Sequence, residues 1–481
     1  MKNPLQFFFS DTAPPDHVPN RNLFAYAAGM AGQNMNYWYI TNWFFVFCND
    51  ILRIPSLYTG IITSVSRVFD SINDPVIGAM LDRHRCRSGE KFRPYLLKLP
   101  VFIGIVSALL FVDFGMNMIT TVVLILLLYL FWDVLYSVQD VSLWSLIAIS
   151  SPLSRERARV AQWGTIGVGL GSGVVSLFPI FKGENFLTAF GVSERTMYAL
   201  GGVVFAFLGQ IISLSAHKMK EQVASEKPEE NLWQSIAMIR HNKTLLLISL
   251  GRFLAFISLS VPQIHFFESS ITFLKIDGGT AMFLYGLITM VPGSIFALLS
   301  VKAAGKIGGM KKLLVYSESM NIVLRIVCYF IGYSSMPRLI CVMFFMALAN
   351  IPTGIKDIAY RSLTSDSIDY VEWKTGLRTE GISFSVQNFI SKIGSAVTLY
   401  LNGYLLHILK YAPDEKKYLQ NPAYMKWQWP MFILGPLLGL VLYLIVILFI
   451  DDDKQKKEMI EEELRMRRAE KRSAHALGST S

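Results

Sequence analysis

Residues 67–75 read Arg67, Val68, Phe69, Asp70, Ser71, Ile72, Asn73, Asp74, Pro75, and they fall inside an apolar stretch, Leu57 to Leu81, long enough to cross a bilayer. Charged side chains at that depth are costly unless they face a cavity, pair, or hold an ion. At a spacing of four residues, Asp70 and Asp74 share one helical face, about 6 Å apart along the axis, with Asn73 on the adjoining edge. The two carboxylates form a candidate cation site, and Arg67, one turn outward, is a ready counter-charge.

The surrounding chain has the same apolar character. Of 481 residues, 52% are hydrophobic and 17% charged, which is the composition of a polytopic membrane protein. Stretches long enough to span a bilayer run from Leu23 to Cys48, Leu57 to Leu81, Tyr95 to Phe114, Ile119 to Ile149, Val160 to Phe181 and Met197 to Ser215. Six more run from Thr244 to Phe267, Ala281 to Val301, Leu313 to Ile331, Leu339 to Ile358, Gly381 to Leu406 and Pro430 to Ile450. Twelve such helices account for nearly the whole chain and leave no room for a folded soluble domain.

Loop charge sets the expected orientation, because Lys and Arg near span ends stay on the cytoplasmic side. Basic residues crowd the segments after the second span (Arg83, Arg85, Arg87, Lys91, Arg93), the fourth (Arg155, Arg157, Arg159), the sixth (Lys218, Lys220, Lys227, Arg240) and the eighth (Lys302, Lys306, Lys311, Lys312). Met116 to Thr120 carries none, so both termini are expected in the cytoplasm. The net charge of +10 follows from this bias and from the tail after Ile450, and it argues for topology and against nucleic-acid binding. The first twenty residues lack the apolar core and cleavage site of a signal peptide, which makes the first span the expected insertion signal. The four cysteines are scattered without metal spacing or a disulfide framework.

A polar stretch from His217 to Asn242, with the run Glu226, Lys227, Pro228, Glu229, Glu230, separates six spans from six. Loops echo each other across it: Gly78, Asp82, Arg83, Gly89, Arg93 has a counterpart in Gly305, Lys306, Gly309, Lys311, Lys312. The expected organisation is a cytoplasmic segment (1–22), a six-helix bundle (23–216), a cytoplasmic linker (217–243), a second six-helix bundle (244–450) and a charged cytoplasmic tail (451–481). Two bundles related by a pseudo-twofold along the membrane normal, with substrate between them near the midplane, define the major facilitator architecture. The fold class is therefore an all-α polytopic membrane protein with twelve transmembrane helices.

Polar residues cluster at one depth. Counting at about 1.5 Å per residue puts Asn34 and Asp70 near the midplane and Asp74 slightly to the cytoplasmic side. The fourth span contributes a stripe of Asp133, Ser137, Asp140 and Trp144, at spacings of four, three and four. The eleventh brings Lys392 near mid-span, with Gln387 and Ser391 close by. Trp144 has an alternative reading as an interfacial belt residue, Lys392 as a snorkelling or neutralising charge, and Arg252 and Arg325 as interhelix salt-bridge partners.

These residues carry a resemblance. Arg67 to Pro75 followed by Gly78, Asp82, Arg83, Gly89, Phe92, Arg93 and Pro94, then Asp140 with Trp144, Arg155 to Arg157, Glu372, Lys374, Gly376, Arg378, Glu380, and Gln387 with Lys392, are similar to the glycoside, pentoside and hexuronide to cation symporter family of the major facilitator superfamily. The resemblance spans nearly all of the chain. It implies cation-coupled symport of a small glycoside or oligosaccharide, with a cation site at Asp70, Asn73, Asp74 and Ser137. Oxygen ligands suit a hard monovalent cation, and adjacent carboxylates repel each other until a cation or proton neutralises them. Sodium, lithium and the proton all remain open as the coupling ion. Arg67 and Lys392 are the expected coupling charges.

The family's sugar site maps onto Asp140 and Trp144, onto Asn34 where the family has an acid, onto Gln33 where it has a basic residue, and onto Thr165 where it has an arginine. The site is thus less charged than the family pattern, which favours a neutral glycoside and points away from a hexuronide unless Arg252 or Arg325 compensates. Asp133 is an additional acid, and Ser142 stands at a proline position. The alternative from the same architecture is a lysolipid-type transporter with a broad amphipathic cavity. No Gly-rich phosphate loop, metal-ligand cluster or activated nucleophile supports an enzyme, and no cofactor is implied. The expected partners are the glycoside, a monovalent cation and the lipid bilayer of the plasma membrane, with the chain acting as a monomer. The tail interleaves Lys and Glu as far as Arg472 and reads as a solvated helix at the cytoplasmic face, with a regulatory partner site as its alternative.

Overall fold

A computed structural model describes residues 17–83, 90, 92–151, 154–221, 242–270, 278–375, 380–412 and 420–450, with 456, 459–460, 462–464 and 466–467 of the tail. The expectations placed on Arg85, Arg87, Gly89, Lys91, the Glu226 to Glu230 run, Gly376, Arg378 and most of the tail lie outside the described residues. The described residues form helices and no strand. They are α1 (Asn20–Asp50), α2 (Ser56–Arg83), α3 (Arg93–Leu109), α4 (Met118–Ile149), α5 (Ser154–Val175), α6 (Phe178–Lys182), α7 (Glu184–Phe190), α8 (Glu194–Gly201) and α9 (Leu208–Ser213). There follow α10 (Lys243–Ala255), α11 (Gln263–Ser270), α12 (Gly278–Ile307), α13 (Met310–Ile331), α14 (Met336–Ala349), α15 (Ile351–Thr375), α16 (Glu380–Ile408), α17 (Pro422–Leu434) and α18 (Leu437–Leu448). Seven helical stretches of the described chain are long and apolar enough to cross a membrane. Helix α2, interrupted by Arg67, Asp70 and Asp74, is not among them.

Several stretches expected as single helices are broken. The seventh stops at Ala255 and resumes at Gln263, because Pro262 has no N–H to donate and biases Val261 toward extended backbone. The exposed carbonyl of Gly435 takes the Leu259 N–H at 3.3 Å, which pins the break. The twelfth begins at Pro422, earlier than expected, and is interrupted at Gly435 and Pro436. The tenth divides at Asn350, and α15, with Pro352 in its first turn, runs well past Ile358 to Thr375. In the fifth, α5 ends at Val175 and the short α6 follows; in the sixth, a π-helical turn (Gly202–Phe207) joins α8 to α9.

The helices form two compact units. The first comprises residues 1–228, 262–283 and 399–426, and the second 229–261, 284–398 and 427–481. In the first unit α1 packs along α5 and against α9, around buried aromatics that include Tyr39, Trp43, Phe44, Phe47, Phe178 and Tyr198. Ionic contacts tie the later segments into it. Buried Lys182 reaches Glu194 and Glu268, each at 2.7 Å. His265 Nε2 lies 3.1 Å from Asp50 Oδ2, and Tyr411 donates its hydroxyl to Asp50 Oδ1 at 2.8 Å while stacking on the His265 ring. A buried ammonium such as that of Lys182 is tolerated where carboxylates answer it, as Glu194 and Glu268 do.

The second unit packs Ile248, Leu314, Ile355, Tyr443 and Ile447 into its core. The tail differs from the solvated helix expected of it: Ile460 and Leu464 are buried, Trp373 Nε1 donates to Glu463 Oε2 at 2.6 Å, and Arg467 donates to the Trp373 carbonyl at 2.9 Å. The cause is the extension of α15, which carries Trp373 out to meet the tail.

Candidate functional site

Within the first unit, α2 and α4 bring the acidic motif together with its hydroxyl. Asp70 is buried, and Ser137 Oγ on α4 donates to its Oδ1 at 3.1 Å. Arg67 NH1 stands 3.9 Å from Asp70 Oδ2, a loose ion pair one turn along the same helix. The Arg67 guanidinium also lies 5.8 Å from the centroid of the Tyr37 ring, where the ring face offsets part of its desolvation. Asp74 is half-buried one turn beyond Asp70, and Asn73 between them has a buried Nδ2 with no hydrogen-bond partner. Asp133, one turn before Ser137, is buried as well. Carboxylate, hydroxyl and amide oxygens are the donor types a small monovalent cation takes.

A second cluster lies one turn further along α4. Asp140 Oδ1 accepts from Gln33 Nε2 at 2.8 Å, and the same amide makes a short contact with the Tyr136 hydroxyl. Asn34 donates to Gln33 Oε1 at 2.7 Å and to the Met30 carbonyl at 3.0 Å. Gln33, fully buried on α1, is therefore held at both ends of its amide. Aromatic rings wall this cluster. Tyr136 stacks on Trp132 at 5.0 Å and on Tyr37 at 5.5 Å, and Trp132 Nε1 donates to Asn36 Oδ1 at 3.1 Å. Tyr37 thus touches Arg67 on one side and Tyr136 on the other, which joins the acidic motif to the amide cluster through packed side chains.

The remaining sequence-derived candidates fall differently. Trp144 is 43% exposed on α4, one turn from Asp140. Thr165 is exposed, and its hydroxyl donates to the Ala161 carbonyl on its own helix at 3.0 Å. Asn34 donates its amide N–H groups to Gln33 and to its own helix. Lys392 is half-buried on α16 in the second unit. Tyr136 and Tyr37 carry much of the cluster's geometry with Gln33, and a reading of the spans by charge passed over both tyrosines. Tyr37 lies four residues from Gln33 on α1, and that spacing is the signal that would have found it.

Helices long and apolar enough to cross a membrane, with an acidic motif beside an amide and aromatic cluster, are the features of a solute carrier. The chain belongs to the MFS/sugar transport protein family, which matches residues 25–452. It is 25% identical over 92% of its length to the isoprimeverose transporter of Lactiplantibacillus pentosus, of which 91% is covered. It is also 25% identical to the putative sulfoquinovose importer of Escherichia coli (strain K12), over 82% of this chain and 83% of that one. Among solved structures it resembles the bacterial homologue of the human lysosomal transporter Spinster in its inward-facing and occupied conformation, with a TM-score of 0.62 at 13% identity, covering 91% of this chain and 97% of that one. That likeness is one of fold.

Proposed function

We propose that this protein is a secondary active transporter that couples the symport of a small glycoside or oligosaccharide to a monovalent cation, sodium or the proton, by alternating access. It is read as a carrier and not an enzyme, with twelve transmembrane helices in two six-helix bundles, in the plasma membrane with cytoplasmic termini. The sugars in the names of the isoprimeverose transporter and the putative sulfoquinovose importer support the substrate class. One observation carries the coupling. Ser137 and Asp140, one turn apart on α4, reach into different clusters, Ser137 to Asp70 and Asp140 to Gln33.

The physical account is electrostatic. With the site empty, Asp70 and Asp74 repel each other and lean on Arg67 and Ser137; a cation relieves the repulsion and releases α4 from that strain. Any state of α4 that the cation favours and in which Asp140 and Gln33 meet sugar hydroxyls gives the two ligands a shared binding free energy, equal in both directions. Asp140 then accepts hydroxyl hydrogen bonds, Gln33 both donates and accepts, and the exposed Trp144 ring offers an apolar face for a pyranose. Asp74→Asn tests this, since it keeps the sugar contacts and removes one coupling charge. Accumulation of sugar against a gradient should be lost while downhill exchange persists. Accumulation by the Asp74→Asn protein at the wild-type level would contradict the proposal.

A further inference from the structure

Arg67 answers to more than one acid of the first unit. It precedes Asp70 by one turn on α2, as Asp133 precedes Ser137 by one turn on α4. The hydrogen bond from Ser137 to Asp70 at 3.1 Å fixes the register of the two helices. One turn back along each from that bond, the Arg67 guanidinium comes within electrostatic reach of Asp133 as well as of Asp70, with the Tyr129 and Tyr37 hydroxyls in the same group. The two helices therefore run in the same direction here, and Asp133 stands at the level of Arg67. Asp133 is 3% exposed and the Arg67 side chain 12%, so little solvent screens either charge.

The contact of Arg67 with Asp70 is a loose one. At 3.9 Å it exceeds hydrogen-bond length, whereas an arginine committed to a carboxylate holds it through short, parallel hydrogen bonds. A metal ion placed on Asp70 would meet the guanidinium at about this separation, and like charges so close repel strongly in a medium of low dielectric. Binding an ion at Asp70 therefore requires another place for Arg67. A buried arginine left without a carboxylate is costly in its turn. Asp133 supplies that carboxylate at the right level, one turn away from the residues that would hold the ion, on the same helix that carries Ser137 and Asp140.

We propose that Asp133 is a positioning residue for the cation site: it takes Arg67 away from Asp70 when a monovalent metal ion arrives, and so leaves Asp70 and Asp74 with their full negative charge for that ion. This rests on the cation-coupling reading above and deepens it with a residue that acts through Arg67 and does not touch the ion. With the site empty, Arg67 is shared between Asp70 and Asp133; with the site filled, it belongs to Asp133. The transfer changes the load on α4, the helix through which the two clusters are joined.

Sodium and lithium binding to the purified full-length protein, followed by calorimetry without sugar, tests this in a double-mutant cycle. Asp133→Asn should weaken metal-ion binding by about tenfold or more, the scale of one charge-assisted contact, because Arg67 then stays on Asp70. In the Arg67→Gln background the same change should cost less than about threefold, close to the margin within which independent changes add, since no guanidinium is left to place. Asp133→Glu, which keeps the charge, should retain most of the wild-type affinity. An Asp133 that is merely structural, or that attracts the ion itself, weakens binding by the same factor in both backgrounds, and that result overturns the inference. Undiminished binding by Asp133→Asn alone overturns it too. Where Asp133→Asn does not fold, as judged by thermal unfolding, Asp133→Ser in the same two backgrounds gives the same comparison. A wild type that binds neither sodium nor lithium overturns the inference and leaves the proton as the coupling ion of the reading above. Failure of the coupling reading itself shows differently, as sugar uptake indifferent to every ion gradient in a protein whose metal-ion binding follows the cycle.

Discussion

Asp140 and Gln33 form the contact on which the proposed sugar recognition turns. A carboxylate that accepts hydroxyl hydrogen bonds in a buried site discriminates sharply, since the wrong epimer leaves charge unpaired. Asp140 is already engaged by Gln33 at 2.8 Å, so a sugar must either share that amide or displace it. Asp140→Asn should therefore raise the apparent sugar constant by about 10- to 100-fold, the scale of a lost charged hydrogen bond, and leave cation binding intact. Sodium binding to the purified Asp140→Asn protein, followed by calorimetry without sugar, checks this, and loss of sodium binding in a folded protein would move Asp140 into the cation site. Asp70 and Asp140 stood out in the sequence because intramembrane charge at a shared depth is rare and expensive, and Ser137 was singled out through the family resemblance. Gln33 was visible only as a missing charge, and its role depends on a contact between α1 and α4 that spacing along one helix does not encode.

At the scale of elements, the position of Gln33 depends on how closely α1 meets its neighbours. A Cβ on Gly32 would stand 2.2 Å from the Gly209 carbonyl, and one on Gly171 would stand 2.2 Å from the Ala31 carbonyl. Backbone thus touches backbone on two sides of the turn that presents Gln33 and Asn34, the close approach small residues allow between membrane helices. Gly32→Ala must push α1 and α9 apart. A loss of about 1–3 kcal/mol in stability is expected, together with a weaker sugar constant and a lesser change in cation binding, because Asp70 and Ser137 lie on other helices. Thermal unfolding and binding titrations of the purified variant measure both, and an unchanged sugar constant would show that Gln33 tolerates the shift. Helix existence was readable from apolar run length. The breaks at Pro262 and at Gly435 with Pro436 were written in the residues but masked by the hydrophobicity around them, and the reach of α15 to Trp373 runs through Asp366, Asp369 and Glu372, past the end of any apolar run.

On the scale of the whole molecule, the two units carry opposite intramembrane charge. Asp70, Asp74, Asp113, Asp133 and Asp140 outnumber Arg67 and Lys98 in the expected spans of the first, and Arg252, Arg325, Lys356 and Lys392 outnumber Glu318 and Asp357 in those of the second. The division into units was legible only in part, since residues 262–283 and 399–426 join the first through Lys182, Glu268, His265, Asp50 and Tyr411, which are far apart in sequence. The central claim is coupling, and it is tested most directly by uptake of labelled neutral and anionic glycosides into proteoliposomes under an imposed inward sodium gradient, an imposed inward proton gradient, and neither. The account predicts transient accumulation of a sugar above equilibrium with at least one gradient and simple equilibration without; equilibration alone under both gradients would contradict it.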